Sequence, residues 1–159
     1  MRSQVSKDPG TKHILQPNKW QVAYMDTAER FAALSTAKRL QVGAIVVKDN
    51  RIISIGYNGM PTGWDNECEY PTEWDDLGNV LNTKTKPEVI HAEANAIAKL
   101  AAAAEGGKDA DMYITHAPCL DCAKQIYTMG IKSVYYKNKY RNEAGIQFLE
   151  KCNIEVRQI

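Results

Sequence analysis

The side chains best suited to chemistry lie in two short segments, His91-Ala92-Glu93 and Pro118-Cys119-Leu120-Asp121-Cys122. One imidazole and two thiols supply three protein ligands for Zn²⁺, and a zinc ion with three protein ligands keeps its fourth tetrahedral position for water. Glu93 follows His91 too closely to be a comfortable fourth ligand, so we expect it to hydrogen-bond that water and carry protons. The pattern therefore predicts one catalytic zinc ion per chain, held by His91, Cys119 and Cys122.

Each segment alone is a weak signal, because Cys-x-x-Cys also occurs in redox motifs and zinc ribbons. The alternative is a closed structural zinc site, in which His116 or Cys68 supplies a fourth protein ligand. That alternative leaves Glu93 without a function. The order of the two segments, with a proline before the first cysteine, favours the catalytic site.

Length and composition limit the class of protein. A chain of 159 residues fits one domain, 1–159, with a sizeable core. Lys plus Arg number 20 and Asp plus Glu 19, so the formal charge of +1 provides no basic surplus for long nucleic acid and indicates a small substrate. The N-terminus lacks the apolar core of a signal peptide, and no run approaches a membrane span. We expect a cytoplasmic protein (host cytoplasm if viral), with Cys68 and Cys152 as free thiols.

The pattern before the zinc segments predicts an irregular arm, a helix and a hairpin. Residues 1–19 have Pro and Gly with little periodicity, which is typical of a loosely attached arm. An apolar stripe predicts a helix from Trp20 to Ala37, and the stripe comprises Val22, Met25, Ala28, Ala32 and Leu34. Strands Val42–Val47 and Arg51–Tyr57 follow, and the short polar connection between them predicts an antiparallel hairpin.

The segment 65–86 is polar and too long for a plain connection, so it is predicted to be an insertion that serves as a lid or a subunit contact, anchored by Trp64 and Trp74. Helices and strands alternate after it, which predicts parallel crossovers. The expected elements are helices Ala92–Ala104, Cys119–Met129 and Asn142–Lys151, and strands Met112–Thr115, Lys132–Tyr136 and Ile154–Arg157. Together they predict a mixed five-stranded sheet covered by helices.

The pattern His-x-Glu followed by Pro-Cys-x-x-Cys is the signature of zinc-dependent nucleobase deaminases. With it, the sequence resembles the cytidine/deoxycytidylate deaminase superfamily, which implies a three-layer α/β/α fold. Further matches are to the deoxycytidylate deaminase branch, and they are Gln41-Val42-Gly43-Ala44, Gly56-Tyr57-Asn58-Gly59-Met60-Pro61, His91 to Ile97, and Lys139-Tyr140-Arg141. The resemblance implies hydrolysis of dCMP to dUMP and ammonia, which supplies dUMP for thymidylate synthesis.

The resemblance also implies nucleotide contacts outside the zinc pattern. These are Asn58, Gly59, Met60, Ala92, Asn95, Tyr140 and Arg141. Asn58 is expected at the base or sugar, the Gly59–Met60 backbone at the phosphate, and Asn95 at the sugar. Arginine suits phosphate through its bidentate fork, but Lys38 and Arg39 compete with Arg141 for that role.

Members of this branch assemble as hexamers and are regulated by dCTP as activator and dTTP as inhibitor, which the resemblance extends to this chain as expectations. Two other functions use the same zinc pattern, but the neutral charge and the insertion argue against the first, and the presence of Glu93 argues against the second. Deamination of a tRNA anticodon adenosine predicts a basic face and a shorter path between the second strand and the His-x-Glu helix. A non-catalytic zinc-binding module predicts that Glu93 is dispensable.

Overall fold

The computed structural model describes residues 16–159. The elements in chain order are α1 (Lys19–Ala32), β1 (Gly43–Lys48), β2 (Arg51–Tyr57), β3 (Glu69–Trp74), β4 (Val80–Thr85), α2 (Ala92–Ala102), β5 (Asp111–His116), α3 (Leu120–Met129), β6 (Ser133–Asn138), α4 (Ala144–Lys151) and β7 (Glu155–Gln158). Most of the predicted arm lies outside the described residues. Residues 16–18 have no regular structure, and Asn18 caps α1 through hydrogen bonds from the backbone amides of Trp20 and Gln21.

The main sheet has five strands in the order β2-β1-β5-β6-β7. Strand β1 pairs antiparallel with both β2 and β5, whereas β5–β6 and β6–β7 are parallel. The sheet is therefore mixed, and β2 runs parallel to β5 with α2 crossing between them. Asp49 and Asn50 both adopt positive φ in the turn of the β1–β2 hairpin, as a tight turn requires. These findings confirm the predicted hairpin and the parallel crossovers.

Helices cover both faces of this sheet. Alternate residues of β1 point to opposite faces, so Ala44 and Val46 join the core under α2, α3 and α4, while Ile45 and Val47 join the core under α1. Gly43–Val47 is buried throughout, as expected of an inner strand. The predicted three-layer α/β/α architecture is confirmed.

The end of α1 differs from the prediction, because the helix stops at Ala32 rather than Ala37. Met25, Ala28 and Ala32 are buried as predicted, but Val22 and Leu34 are exposed. Beyond the helix, the hydroxyl of Ser35 accepts a hydrogen bond from the Ala37 amide, and that of Thr36 donates to the Asn66 carbonyl. Side chains of this type offer the backbone an alternative to helix, so the segment turns toward the insertion.

The insertion is ordered into a two-stranded hairpin, β3–β4, which forms a sheet of its own. The sequence predicted an insertion at 65–86 without assigning strands to it, and the structure adds these two. Trp64 and Trp74 do not anchor it, since both side chains are more than half exposed. Instead, Cys68 is buried with Ala37 and Val89 at the base of the hairpin. Within residues 16–159, no helix is long and apolar enough to cross a membrane.

Candidate active site

His91, Cys119 and Cys122 come together although 28 residues separate the first two. His91 is the N-cap of α2 and Cys119 the N-cap of α3. The Nδ1 atom of His91 lies 3.6 Å from the Sγ of Cys119 and 3.3 Å from the Sγ of Cys122. All three ligand atoms lie within 4.8 Å of one another, a spacing that can hold a metal ion. We call these three side chains the metal group.

Two glycines allow the backbone that carries the metal group to pack closely against its neighbours. A Cβ at Gly56 would lie 2.1 Å from the Ala92 carbonyl oxygen, next to His91. A Cβ at Gly145 would lie 2.1 Å from the Pro118 carbonyl oxygen and 2.8 Å from that of Cys119. Glycine therefore lets β2 contact the start of α2, and α4 contact the segment before α3, without a gap.

The side chains of the metal group alter one another's pKa. Hydrogen bonds from the Cys122 thiol and from His91 lower the pKa of the Cys119 thiol to about 4. The hydrogen bond with Cys119 raises the pKa of His91, and the Cys122 thiol has a raised pKa for the same reason, together with its burial. Cys119 is thus held as thiolate, the form that binds metal. Two cysteine sulfurs with one imidazole are a donor set that fits Zn²⁺, and metal binding would release the proton that Cys122 retains.

Glu93 lies in the first turn of α2 and is 4% exposed. Burial raises the pKa of its carboxyl to about 7, against the opposing effects of a hydrogen bond with its own backbone and the positive charge of His91. A carboxyl with a pKa near neutrality both accepts and releases protons at physiological pH. Glu93 therefore lies beside the metal group with a pKa at which a carboxyl can exchange protons near neutral pH.

A pocket of about 560 Å³ opens above these groups, a volume suited to a small ligand. Its floor includes His91, Glu93 and Cys119. The other lining residues are Ala37, Arg39, Leu40, Val42, Asn58, Glu69, Lys84, Thr85, Val89, Ala92, His116, Ala117, Tyr140 and Arg141. The pocket therefore extends from the metal group to the insertion hairpin.

Four of the nucleotide contacts expected from sequence line this pocket, and they are Asn58, Ala92, Tyr140 and Arg141. The Asn58 side chain also bridges the backbone, because its Oδ1 accepts from the Val42 amide at 2.8 Å and its Nδ2 donates to the Leu40 carbonyl at 2.8 Å. Asn58 thus holds the residues just before β1, where Leu40 and Val42 line one side of the pocket.

The remaining three, Gly59, Met60 and Asn95, lie outside the pocket lining. The side-chain Nδ2 of Asn95 donates to the Tyr57 carbonyl at 3.2 Å. Gly59 pairs with Ile90 through reciprocal backbone hydrogen bonds. Met60 packs against the cluster of Ala37, Cys68 and Val89 at the base of the hairpin. In this structure all three support the loops that surround the pocket.

Sequence reasoning missed several lining residues. Glu69, Lys84 and Thr85 come from the insertion, where polar composition alone gave no indication that strands would reach the pocket. His116 also lines the pocket, with its Nδ1 3.0 Å from the Thr115 hydroxyl, whereas the sequence had raised it only as an alternative zinc ligand. The pattern before Pro118 could have indicated His116, because the residues just before a metal-binding cysteine lie at the same end of β5 as the site.

The fold and the site together define a zinc-dependent hydrolytic deaminase, because the His-x-Glu and Pro-Cys-x-x-Cys segments meet at one pocket and the glutamate of the first segment is buried there. Residues 18–138 match the family model described as cytidine and deoxycytidylate deaminase zinc-binding region. The chain belongs to this family.

Relatives and solved structures agree with that assignment. The chain is 36% identical over 152 residues to human deoxycytidylate deaminase, covering 84% of this chain and 82% of that protein. It is 31% identical to deoxycytidylate deaminase of Schizosaccharomyces pombe, but spans 47% of that longer protein. The crystal structure of dCMP deaminase from the cyanophage S-TIM5 in complex with dCMP and dUMP superposes with a TM-score of 0.79 at 40% identity, covering 91% of this chain and 100% of that one.

Proposed function

We propose that this chain deaminates dCMP to dUMP, consuming one water and releasing one ammonia. The observation that carries the proposal is the metal group, of which His91 and Cys119 line a pocket, with the buried carboxyl of Glu93 beside it. The relatives named deoxycytidylate deaminase support this choice of substrate. So does the cyanophage S-TIM5 enzyme, which was crystallised with dCMP and dUMP.

In the proposed reaction His91, Cys119 and Cys122 hold Zn²⁺. Bound there, zinc supplies Lewis acidity that makes water a strong nucleophile at neutral pH. Glu93 would take a proton from the attacking water and deliver it to N3 of the cytosine ring as the bond from the water oxygen to C4 forms. It would then transfer the remaining proton of that oxygen to the amino group, so that the C4–N bond breaks and ammonia leaves. Its burial excludes bulk water from both transfers, and its pKa near 7 suits it to act as acid and base in turn.

The substrate contacts are part of the proposal. Tyr140 and Ala92 line the pocket and are assigned to the walls around the base. Asn58 keeps one amide hydrogen and one oxygen lone pair beyond its two backbone bonds, so it can still contact the base or sugar. Asn95, Gly59 and Met60 are assigned indirect roles, since they hold the surrounding loops.

The test is ammonia release from dCMP, with deoxycytidine, dCTP and a tRNA stem-loop assayed alongside. Glu93→Gln is compared with Glu88→Gln, the same change at an exposed position before α2. We expect Glu93→Gln to slow turnover by about 10²–10⁴-fold while zinc content is unchanged, because a positioned proton carrier contributes that much. Turnover of the stem-loop but not of dCMP would contradict the proposed substrate. Full activity in Glu93→Gln would favour a zinc-binding role without this mechanism.

We also propose that the protein forms a hexamer in the cytoplasm, responds to dCTP and dTTP, and supplies dUMP for thymidylate synthesis. Apolar side chains exposed on the insertion hairpin support a subunit contact there, and they are Tyr70, Trp74, Leu77, Val80 and Leu81. Light scattering of the purified protein, with and without each triphosphate, measures the assembly. A monomer under all conditions would contradict this assignment.

A further inference from the structure

Three cationic side chains reach the pocket from different elements. Arg39 precedes β1, Lys84 lies in β4, and Arg141 follows β6. Two carboxylates also line the pocket, but Glu93 lies buried at its floor. The second, Glu69, lies in β3 and is also buried. The upper part of the pocket is therefore the place where an anionic group of a substrate would find positive charge.

Glu69 fixes the backbone of the segment that carries Arg39. Its Oε1 accepts hydrogen bonds from the backbone amides of Lys38 at 2.8 Å and Arg39 at 3.0 Å. Two amide donors at one carboxylate oxygen make strong, charge-assisted hydrogen bonds. Glu69 therefore joins β3 to the segment before β1 and orients it.

The Arg39 side chain is fixed a second time, because its Nη1 donates to the Thr83 carbonyl in β4. Thr83 directly precedes Lys84, so the guanidinium of Arg39 lies against the strand that supplies the second cation. In the part of the chain that the structure describes, neither Arg39 nor Lys84 forms an ion pair with a carboxylate. Both retain donors for a ligand. We call Arg39, Glu69, Thr83 and Lys84 the hairpin wall.

The neighbouring lysines are arranged differently. Lys38 forms a 3.5 Å ion pair with Glu67, and its side chain is 75% exposed. Lys86 forms a 3.3 Å ion pair with Asp65. Neither lysine lines the pocket. The sequence places Lys38 beside Arg39 and Lys86 near Lys84, yet one member of each pair faces the pocket and the other does not.

Arg141 is less restrained than Arg39. Both residues are exposed, but Arg39 donates to the Thr83 carbonyl, whereas the guanidinium of Arg141 lies 5.9 Å from the centre of the Tyr140 ring, a cation–π distance. A cation already held in place loses less conformational entropy when it binds a ligand than a free one does. Arg39 is thus better organised than Arg141 to receive an anion.

We propose that Arg39 and Lys84 together bind the 5′-phosphate of the substrate, so that the insertion hairpin makes the enzyme select a nucleoside monophosphate over the free nucleoside. Glu69 acts as a positioning residue, because it holds the Arg39 segment against β3. This inference rests on the proposed deamination of dCMP. It assigns the phosphate to the hairpin wall rather than to Arg141.

The test compares kcat/KM for dCMP and for deoxycytidine in Arg39→Ala and Lys84→Ala, with Lys38→Ala and Lys86→Ala as matched controls. We expect each pocket variant to lower kcat/KM for dCMP by about 10- to 100-fold, as for loss of a hydrogen bond to a charged group. Its effect on deoxycytidine should be less than about threefold, since that substrate has no phosphate to lose. The controls should leave both values within about twofold of the native protein, because their side chains pair with carboxylates outside the pocket.

The positioning role of Glu69 has its own comparison. Glu69→Gln keeps an oxygen that accepts from both amides, whereas Glu69→Ala does not. We expect Glu69→Ala to raise KM for dCMP about tenfold with little change in kcat, and Glu69→Gln to restore most of the loss. A general folding defect would instead lower activity on dCMP and deoxycytidine alike.

Other results would overturn the assignment. Equal losses on both substrates in Arg39→Ala and Lys84→Ala would show a structural role. If these two variants kept their dCMP turnover and Arg141→Ala lost it, the phosphate would be assigned to Arg141.

Calorimetry measures the binding of dCMP and of deoxycytidine to the zinc-loaded protein, so it tests the phosphate contact independently of turnover. If the native protein binds dCMP without deaminating it, the proposed reaction fails while the binding data still test the phosphate contact. If it binds dCMP no better than deoxycytidine, the hairpin wall is not a phosphate site.

Discussion

The two sides of the pocket are built in contrasting ways. The metal group and Glu93 lie at the first turns of α2 and α3, and these helices pack on the main core. On the other side of the pocket, the insertion hairpin is a small separate sheet with exposed apolar side chains on both of its strands. It is joined to the rest of the molecule by specific hydrogen bonds of Glu69 and Arg39.

This difference indicates that one side of the pocket holds the reacting groups and the other selects the substrate. A reacting group must be held within a fraction of an ångström, and packed helices provide that rigidity. A phosphate contact tolerates more movement, and a hairpin held by a few hydrogen bonds opens at a lower free-energy cost than the core. Variants on the two sides should therefore fail in distinguishable ways.

The largest contrast comes from making the same substitution on each side. Cys119→Ser removes a thiolate ligand, so we expect loss of bound zinc and of activity down to background. Cys68→Ser lies at the base of the hairpin, fully buried and 3.5 Å from the Thr36 hydroxyl. It should keep its zinc and lose about 1–2 kcal/mol of stability, the cost of burying a hydroxyl. Zinc content by elemental analysis, together with thermal unfolding, measures both.

If Cys68→Ser also lost its zinc while remaining folded, Cys68 would belong to the metal site and the closed four-ligand alternative would return. Retention of zinc in Cys119→Ser would show that the metal does not depend on that thiolate. Either result would remove the distinction drawn between the two sides.

A smaller effect is expected where α4 supports the metal group from behind. Gly145→Ala places a methyl 2.1 Å from the Pro118 carbonyl oxygen, so the segment before Cys119 must shift. We expect a stability loss of about 1–3 kcal/mol and a weaker affinity for zinc, as overpacking a tight contact predicts. Gly106→Ala is the matched control, because no atom lies within 4 Å of a Cβ there. Unchanged zinc affinity in a destabilised Gly145→Ala would separate packing from metal binding.

The metal group could be predicted from sequence because the information is local. His91 and Glu93 are two residues apart, Cys119 and Cys122 three apart, and each pair begins a helix. Helix geometry then fixes which side chains point into the pocket. The long-range step, which brings the two helices together, followed from the predicted alternation of strands and helices.

The hairpin wall could not be predicted because its contacts join residues distant in sequence. Glu69 binds amides about 30 positions away, and Arg39 donates to a carbonyl 44 positions away. No periodic pattern encodes such hydrogen bonds. Hydrogen bonds of Ser35 and Thr36 likewise explain why α1 ends early. The Ser35 hydroxyl accepts from the Ala37 amide and the Thr36 hydroxyl donates to the Asn66 carbonyl, so the chain turns instead of continuing the helix. Lys84 carried no signal beyond being one basic residue in a polar segment.

The smallest predicted effect is on stability alone, at a position distant from both sides of the pocket. Asp111 begins β5, at the opposite end of the strand from His116. Burial raises the pKa of its carboxyl, and its Oδ1 is the one buried side-chain oxygen or nitrogen in residues 16–159 that lacks a hydrogen-bond partner. The folded state thus favours the protonated form, so the charge destabilises the fold above its raised pKa.

Asp111→Asn removes that charge and should stabilise the protein at pH 7 by about 0.5 kcal/mol. Because the cost of the native carboxylate disappears as pH falls through the raised pKa toward the ordinary value of 3.8, the advantage of the variant should shrink over the same range. Denaturant unfolding from pH 7 to pH 4 measures the difference, with the exposed Asp76→Asn as control. Zinc content and dCMP turnover should match the native protein at pH 7. A change in either would show that the far end of β5 is coupled to the pocket, and the independence of core stability from the site would no longer hold.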